Sequence, residues 1–169
     1  MRKRSRRGNT LLEFTLVGIP MIFVIISTFE LARGMWLYHT AAYAIKAGTR
    51  YAVVHGQDCT LGSNNCSVSI GQIATVIQSA GTGLPSDSLT LTFTPANGSA
   101  TTCKLSDCIT SYTSMWPPAG ANAVGLKLKI SAVLPFQSLI IMFWPGAGKP
   151  VNGTGTLNLT ADSIESILY

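Results

Sequence analysis

Arg7-Gly8-Asn9-Thr10-Leu11-Leu12-Glu13-Phe14-Thr15-Leu16-Val17-Gly18-Ile19-Pro20-Met21-Ile22-Phe23-Val24-Ile25-Ile26-Ser27-Thr28-Phe29-Glu30 is the stretch on which the fold turns. Residues 14–29 carry no charge, and at about 1.5 Å per residue they extend roughly 24 Å. A hydrocarbon core of about 30 Å needs slightly more. Leu11, Leu12, Leu31 and Ala32 supply it and bring Glu13 and Glu30 to the two edges. A membrane-spanning helix over about 11–32 is therefore predicted. Pro20 should kink that helix and free one carbonyl, which helices in a bilayer tolerate.

Upstream lies a basic leader. Arg2, Lys3, Arg4, Arg6 and Arg7 supply five of the twelve Lys/Arg; without residues 1–8, seven basic residues face seven acidic ones. The net charge of +5 thus belongs to the leader. Cations placed just before an apolar helix read as a cytoplasmic topology signal. A nucleic-acid surface would need them spread over the chain, so nucleic acid is excluded as a partner. The whole chain, 169 residues with only 11% charged, holds one modest domain plus an anchor.

Downstream no breaker follows the apolar run. Leu31, Met35, Tyr38, Ala42, Ile45, Thr49 and Ala52 advance in steps of four and three, which predicts a seam buried against the rest of the chain or a neighbouring helix. His39, Lys46 and Arg50 fall on a flank that reads as a solvated face. The helix should run to about Val54, with Gly56 as its C′ residue. A second helix is predicted over 68–80, closed by Gly81 and Gly83. Strict alternation marks a strand over 88–94, a turn over 95–98, a strand over 124–134 and a shorter one over 154–161. Residues 130–144 are apolar but broken by Pro135 and Gln137, and too short for a second crossing. They read as a strand plus an apolar connection. The class is α+β: a long N-terminal helix, then a small antiparallel sheet with one or two short helices. Residues 1–8 form the leader, 9–55 the long helix and 56–169 the α+β domain.

Cys59, Cys66, Cys103 and Cys108 all follow the apolar segment, in the oxidising compartment if the leader stays inside. Their spacings, C-x6-C and C-x4-C, do not match zinc pairs. Of three connectivities, the local bridges Cys59–Cys66 and Cys103–Cys108 come first, each stabilising by roughly 2–3 kcal/mol. No nucleophile elbow, metalloprotease motif, phosphate loop or dinucleotide fingerprint is present. No catalytic, metal or cofactor residues are proposed from the sequence.

An ordinary signal peptide is cut after its apolar segment, whereas here the basic leader ends at Gly8 and the apolar helix begins at once. A Gly, four residues, then Glu13 and Phe14 resembles the leader of type IV prepilins. The resemblance implies that a prepilin peptidase cuts between Gly8 and Asn9, leaving the helix in the mature protein. A finer likeness is to the TadE-like family of the tight-adherence (Flp-type) pilus system. It rests on Pro20, on Glu30-Leu-Ala-Arg33 at the helix exit, and on Lys46-Ala47-Gly48-Thr49-Arg50-Tyr51-Ala52. It covers about residues 7–54; Asn9 stands where many pilins carry Phe or Met, and the cysteines are outside the pattern. What the resemblance implies is a minor pilin or pseudopilin-like subunit held in the inner membrane, its C-terminal domain periplasmic. Its partners are the peptidase, the bilayer, other pilins through the helix, and an assembly platform. A membrane-anchored binding or sensory domain that never assembles is the rival.

Glu13 has two readings. As the fifth residue after the cut it lies about 6 Å from the new terminus, where the helix dipole favours an anion and a fresh α-amino group of a neighbouring subunit can pair with it. Thr10-Leu-Leu-Glu13 also fits a capping box that needs no partner. Gly18, Pro20 and Glu13 are then the positions expected to matter for helix packing. Glu30 and Arg33 read as an exposed pair worth a few tenths of a kcal/mol, and Met35, Trp36 and Tyr38 as an interfacial belt.

Overall fold

A computed structural model of the chain describes residues 7–56, 59–61, 64–65, 67–138 and 156–168. It opens with one continuous helix, α1 (Arg7–Val53), of 47 residues, about 70 Å long. Pro20 sits inside it. Residues Leu12–Val53 include a window long and apolar enough to cross a membrane, none of it buried against the rest of the chain. Hydroxyls in this half bond back to the helix: Thr15 to the Leu12 carbonyl (3.0 Å), Ser27 to Phe23 (2.8 Å) and Thr28 to Val24 (2.8 Å). Such back-bonding removes the penalty for carrying hydroxyls into an apolar solvent.

The outer half of α1 packs onto an α+β domain. Its elements are β1 (Thr60–Leu61), β2 (Asn64–Asn65), α2 (Ile70–Ala80), β3 (Thr90–Thr94), β4 (Thr101–Lys104), α3 (Leu105–Ser111), β5 (Lys127–Gln137) and β6 (Thr156–Ser166). β1 and β2 make a small hairpin, and the other four strands an antiparallel sheet in the order β4-β3-β5-β6. α1 packs against β5 and β6 of that sheet, and α2 packs against α1. The core between them includes Ile45, Ile73, Ile77, Phe93 and Ile130.

α2 starts two residues later than the predicted 68–80 because Ser69 is its N-cap. Its hydroxyl accepts from the Gln72 amide (3.2 Å), and Gln72 Oε1 accepts from the Ser69 amide (2.9 Å), a reciprocal capping box. β3 is shorter than 88–94 because the amides of Ser88 and Leu89 turn back to the Pro85 carbonyl (3.3 and 3.1 Å). Gly98, at φ +111°, occupies a turn conformation that L side chains avoid.

Pro135 and Gln137 do not interrupt β5, contrary to the sequence expectation. All eleven residues pair with β6, from Lys127↔Ser166 to Gln137↔Thr156. Pairing with β3 ends at Val133, so Pro135 lies where only one neighbour flanks the strand, a position proline tolerates. The same ladder carries β6 five residues beyond the predicted 154–161. Residues 139–144, the rest of the apolar connection, lie outside the described residues.

At the helix end the His55 amide donates to the Ala52 carbonyl (3.1 Å), and the Leu168 amide donates to the Val53 carbonyl (3.0 Å). The end of the chain thereby ties back to α1.

Candidate assembly site on the long helix

Gly8 and Asn9 lie in the first turn of α1, and Glu13, Phe14, Gly18 and Pro20 follow along it. From Gly8 to Pro20 the rise is about 18 Å. Glu13 and Phe14 are exposed, Phe14 at 77%. Glu13, Val17 and Pro20 step by four and three and so share a face. Gly18 lies under the Phe14 ring: a Cβ there would meet it at 3.8 Å, ordinary contact. Among the described residues none pairs with Glu13. Because α1 begins at Arg7, Thr10 lies inside the helix of the full chain. An N-cap needs non-helical backbone, and the Thr10 backbone is helical here.

A second group sits where the helix meets the domain. Glu30 and Arg33 are not a free surface pair, as their spacing suggests. Glu30 is only 8% exposed. Arg33 Nη2 lies 3.5 Å from Glu30 Oε2 and donates to the Gln137 carbonyl at 2.5 Å. The guanidinium also stands 4.7 Å over the Phe136 ring, and the same ring covers Gly34, where a Cβ would meet it at 3.5 Å. One arginine thus joins α1 to the end of β5 by charge, hydrogen bond and ring. Nothing in a Glu-x-x-Arg spacing reveals this, because Phe136 and Gln137 are a hundred residues away.

The third group is the run from Lys46 to Ala52. Gly48, Thr49 and Ala52 are buried, while Lys46 and Arg50 are exposed. A Cβ on Gly48 would overlap Ile77 Cγ1 and lie 2.8 Å from Ile77 Cδ1, so α1 and α2 touch at that glycine. Thr49 donates to the Ile45 carbonyl (2.8 Å), and Arg50 reaches Glu165 of β6 (3.7 Å). The Tyr51 and His55 rings meet at 4.5 Å between centroids, tilted by 45°.

The buried row differs from the predicted seam. Ile45, Thr49 and Ala52 are buried as expected, but Leu31, Met35 and Tyr38 are exposed. The row that faces the domain at this level is Glu30, Gly34, Leu37, Ala41 and Ala44. It has the same step pattern shifted by one residue. Its small side chains admit close approach, and the large ones are turned outward.

Cys103 at the end of β4 is bonded to Cys108 of α3, with Cα atoms 5.5 Å apart. Cys59 is disulfide-bonded too, and Cys66 lies outside the described residues. On the outer sheet surface Lys129 Nζ approaches Asp162 Oδ2 to 3.0 Å. Hydrogen bonds from Lys129 and then Ser131 hold the Asp162 carboxyl below its ordinary range. No three His, Cys, Asp or Glu side chains converge as a metal site among the described residues.

Residues 8–50 match the model of the TadE-like protein family. This is the family that Glu13, Phe14, Pro20 and the two later motifs resemble. No curated protein and no solved structure matches the chain. The matched segment is 43 residues (8 to 50), about a quarter of the chain, and it includes the window apolar enough to cross a membrane. It lies wholly on α1 and contains the first group, the α1 residues of the second, and the third as far as Arg50.

Proposed function

We propose that this chain is a minor pilin or pseudopilin-like subunit of a tight-adherence type IV pilus, matured by a prepilin peptidase that cuts between Gly8 and Asn9. The leader stays cytoplasmic, α1 crosses the bacterial inner membrane once, and the domain with its cysteines lies in the periplasm. Its partners are other pilins or pseudopilins, met through α1, and an inner-membrane assembly platform. The observation that supports this reading is a coincidence of position. The TadE-like match begins at Gly8 and runs along a helix whose first half is covered by no other described part of the chain.

The mechanism is packing, not catalysis. Inside lipid there is no hydrophobic drive between helices, so shape and polar pairing decide association. Glu13 is the polar element. After the cut it stands about 6 Å from a new α-amino group, and a carboxylate left unpaired in an apolar helix bundle is costly. Pairing with the amine of a neighbouring subunit removes that penalty and sets the axial register.

N-terminal sequencing of the membrane-extracted protein tests the reading. A start at Asn9 supports it. A start at Met1 indicates an uncut anchor, and one beyond Ala44 a secreted form; either overturns it. Glu13→Gln should leave membrane insertion intact while abolishing recovery of the subunit with its pilin partners. Normal assembly of that variant would refute the ion pair.

A further inference from the structure

Where α1 leaves the bilayer, the sheet has more apolar face than its core uses. Phe136 of β5 and Leu157 of β6 are directly paired, on the core-facing side of the ladder, yet Leu157 is 56% exposed. With Leu159 they form one wall of a groove of about 680 Å³ whose other wall is α1 from Ser27 to His39. Leu31, Met35 and Tyr38 line that wall and are exposed. These are the large side chains that the shifted helix row turns away from the domain.

The height of this groove identifies its occupant. From Leu12 to Leu31 the helix rises about 29 Å, one hydrocarbon thickness. Ser27, Glu30 and Leu31 therefore lie in the last turns of the span, and the groove begins inside the acyl region and continues above it. We infer that outer-leaflet acyl chains fill this groove, so that the β5–β6 end of the domain rests in the bilayer interface rather than above it. The inference rests on the membrane-anchored reading proposed above. Its chemistry fits at each level. The floor carboxylate of Glu30 is compensated by Arg33, and Tyr38 sits where aromatic side chains favour the interface. A neighbouring helix is the poorer occupant. Close helix packing in lipid uses small residues, and the small row of α1, with Gly34, Ala41, Ala44 and Gly48, is already turned to the domain.

The test is photocross-linking of the full chain in vesicles of phosphatidylethanolamine and phosphatidylglycerol, read by mass spectrometry. Leu157→p-benzoylphenylalanine is the probe, Val24→p-benzoylphenylalanine the control within the span, and Val124→p-benzoylphenylalanine the control near the β5 end remote from α1 residue 34. The expected result is a phospholipid adduct at 157 comparable in yield to that at 24, and its loss at 124. An adduct at 24 but not 157 overturns the groove assignment and leaves the anchor standing. No adduct at either overturns the anchor as well. Cross-links from 157 to a second copy, or to residues 139–155 of the same chain, in place of lipid overturn the assignment. So does an equal yield of lipid adduct at all three positions.

Discussion

Gly48→Ala reverses the ordinary expectation for a glycine inside a helix. In an open helix the change stabilises by up to about 1 kcal/mol, because alanine is the better helix former. Here the added methyl would overlap Ile77 Cγ1, lie 2.8 Å from Cδ1 of the same residue and 3.5 Å from Ile73 Cγ2. Ile77 and Ile73 are fully buried, and a β-branched side chain in a helix has one strongly preferred rotamer, so neither can swing clear. Overpacking of this kind costs about 1–3 kcal/mol. The net outcome expected is a loss of up to about 2 kcal/mol after the propensity gain is subtracted. Gly34→Ala is the internal control. Its methyl would meet Phe136 at 3.5 Å, an ordinary contact, and the variant should be neutral or slightly stabilised. Thermal unfolding of the two detergent-solubilised variants, followed by circular dichroism, separates them. Adding Ile77→Ala should make Gly48→Ala nearly harmless, a coupling visible in a double-mutant cycle. Were Gly48→Ala as stable as the parent chain, the close contact of α1 with α2 would be wrong.

The same unfolding assay tests three other sites. Arg33→Ala should destabilise by about 1–2 kcal/mol, since it removes a charged hydrogen bond and a ring contact; a loss of only a few tenths would mean the residue is no more than an exposed helix pair. Trp116 is buried, its indole Nε1 has no hydrogen-bond partner among the described residues, and it stands edge-on to Phe93 at 5.4 Å. Trp116→Phe, which deletes the unsatisfied donor and keeps a ring, should therefore fall within about 1 kcal/mol of the parent, whereas Trp116→Ala should lose about 3–5 kcal/mol. Asp162 has a lowered folded-state pKa, so its contribution is present above the unfolded value of about 3.9 and lost as pH falls through the lower folded one. Both partners are more than a third exposed, which limits the effect to about 1 kcal/mol or less; Lys129→Met should flatten that part of the pH profile, and an unchanged slope would refute the pairing.

What the sequence discloses follows from how local each signal is. α1 is legible because uncharged length and unbroken periodicity are properties of neighbours in the chain. Which face it buries is not. Rows starting at Glu30 and at Leu31 step alike, and the more apolar row is the wrong one here, because the small row meets the sheet and the large side chains are left exposed. Only the end of β5, from Pro135 to Gln137, is hidden by the proline, whose tolerance depends on β3 ending its pairing at Val133. The second half of β6, Asp162-Ser-Ile-Glu-Ser166, looks polar and becomes a strand because β5 offers a partner to every residue. α3 is seven residues long, too short for a period to show. Its hold is tertiary, through buried Leu105 and the Cys103–Cys108 bridge. Glu13, Phe14, Pro20 and the Lys46–Ala52 run are visible as spacings, but the grip of Arg33 on β5 is not.

That grip links the two halves of α1. The same helix offers an apolar surface to lipid below Glu30 and a small-residue surface to a domain above it, and a single helix can do both only if the two surfaces keep a set angle about its axis. A continuous α-helix resists twisting, but the domain must also be prevented from rolling around it. Gly48 against Ile77 restrains it at the far end, Arg50 with Glu165 on β6 adds a weak second contact, and Arg33 with Phe136 and Gln137 restrains it at the membrane end. Restraints about 15 residues apart, roughly 22 Å along the axis, leave the domain no rotation that keeps both. Under the proposed assembly, whichever face of residues 13–20 a neighbouring helix selects also dictates which side of the domain that neighbour meets. The TadE-like match stops at residue 50, yet the orientation of everything beyond it is already determined by residues within the match.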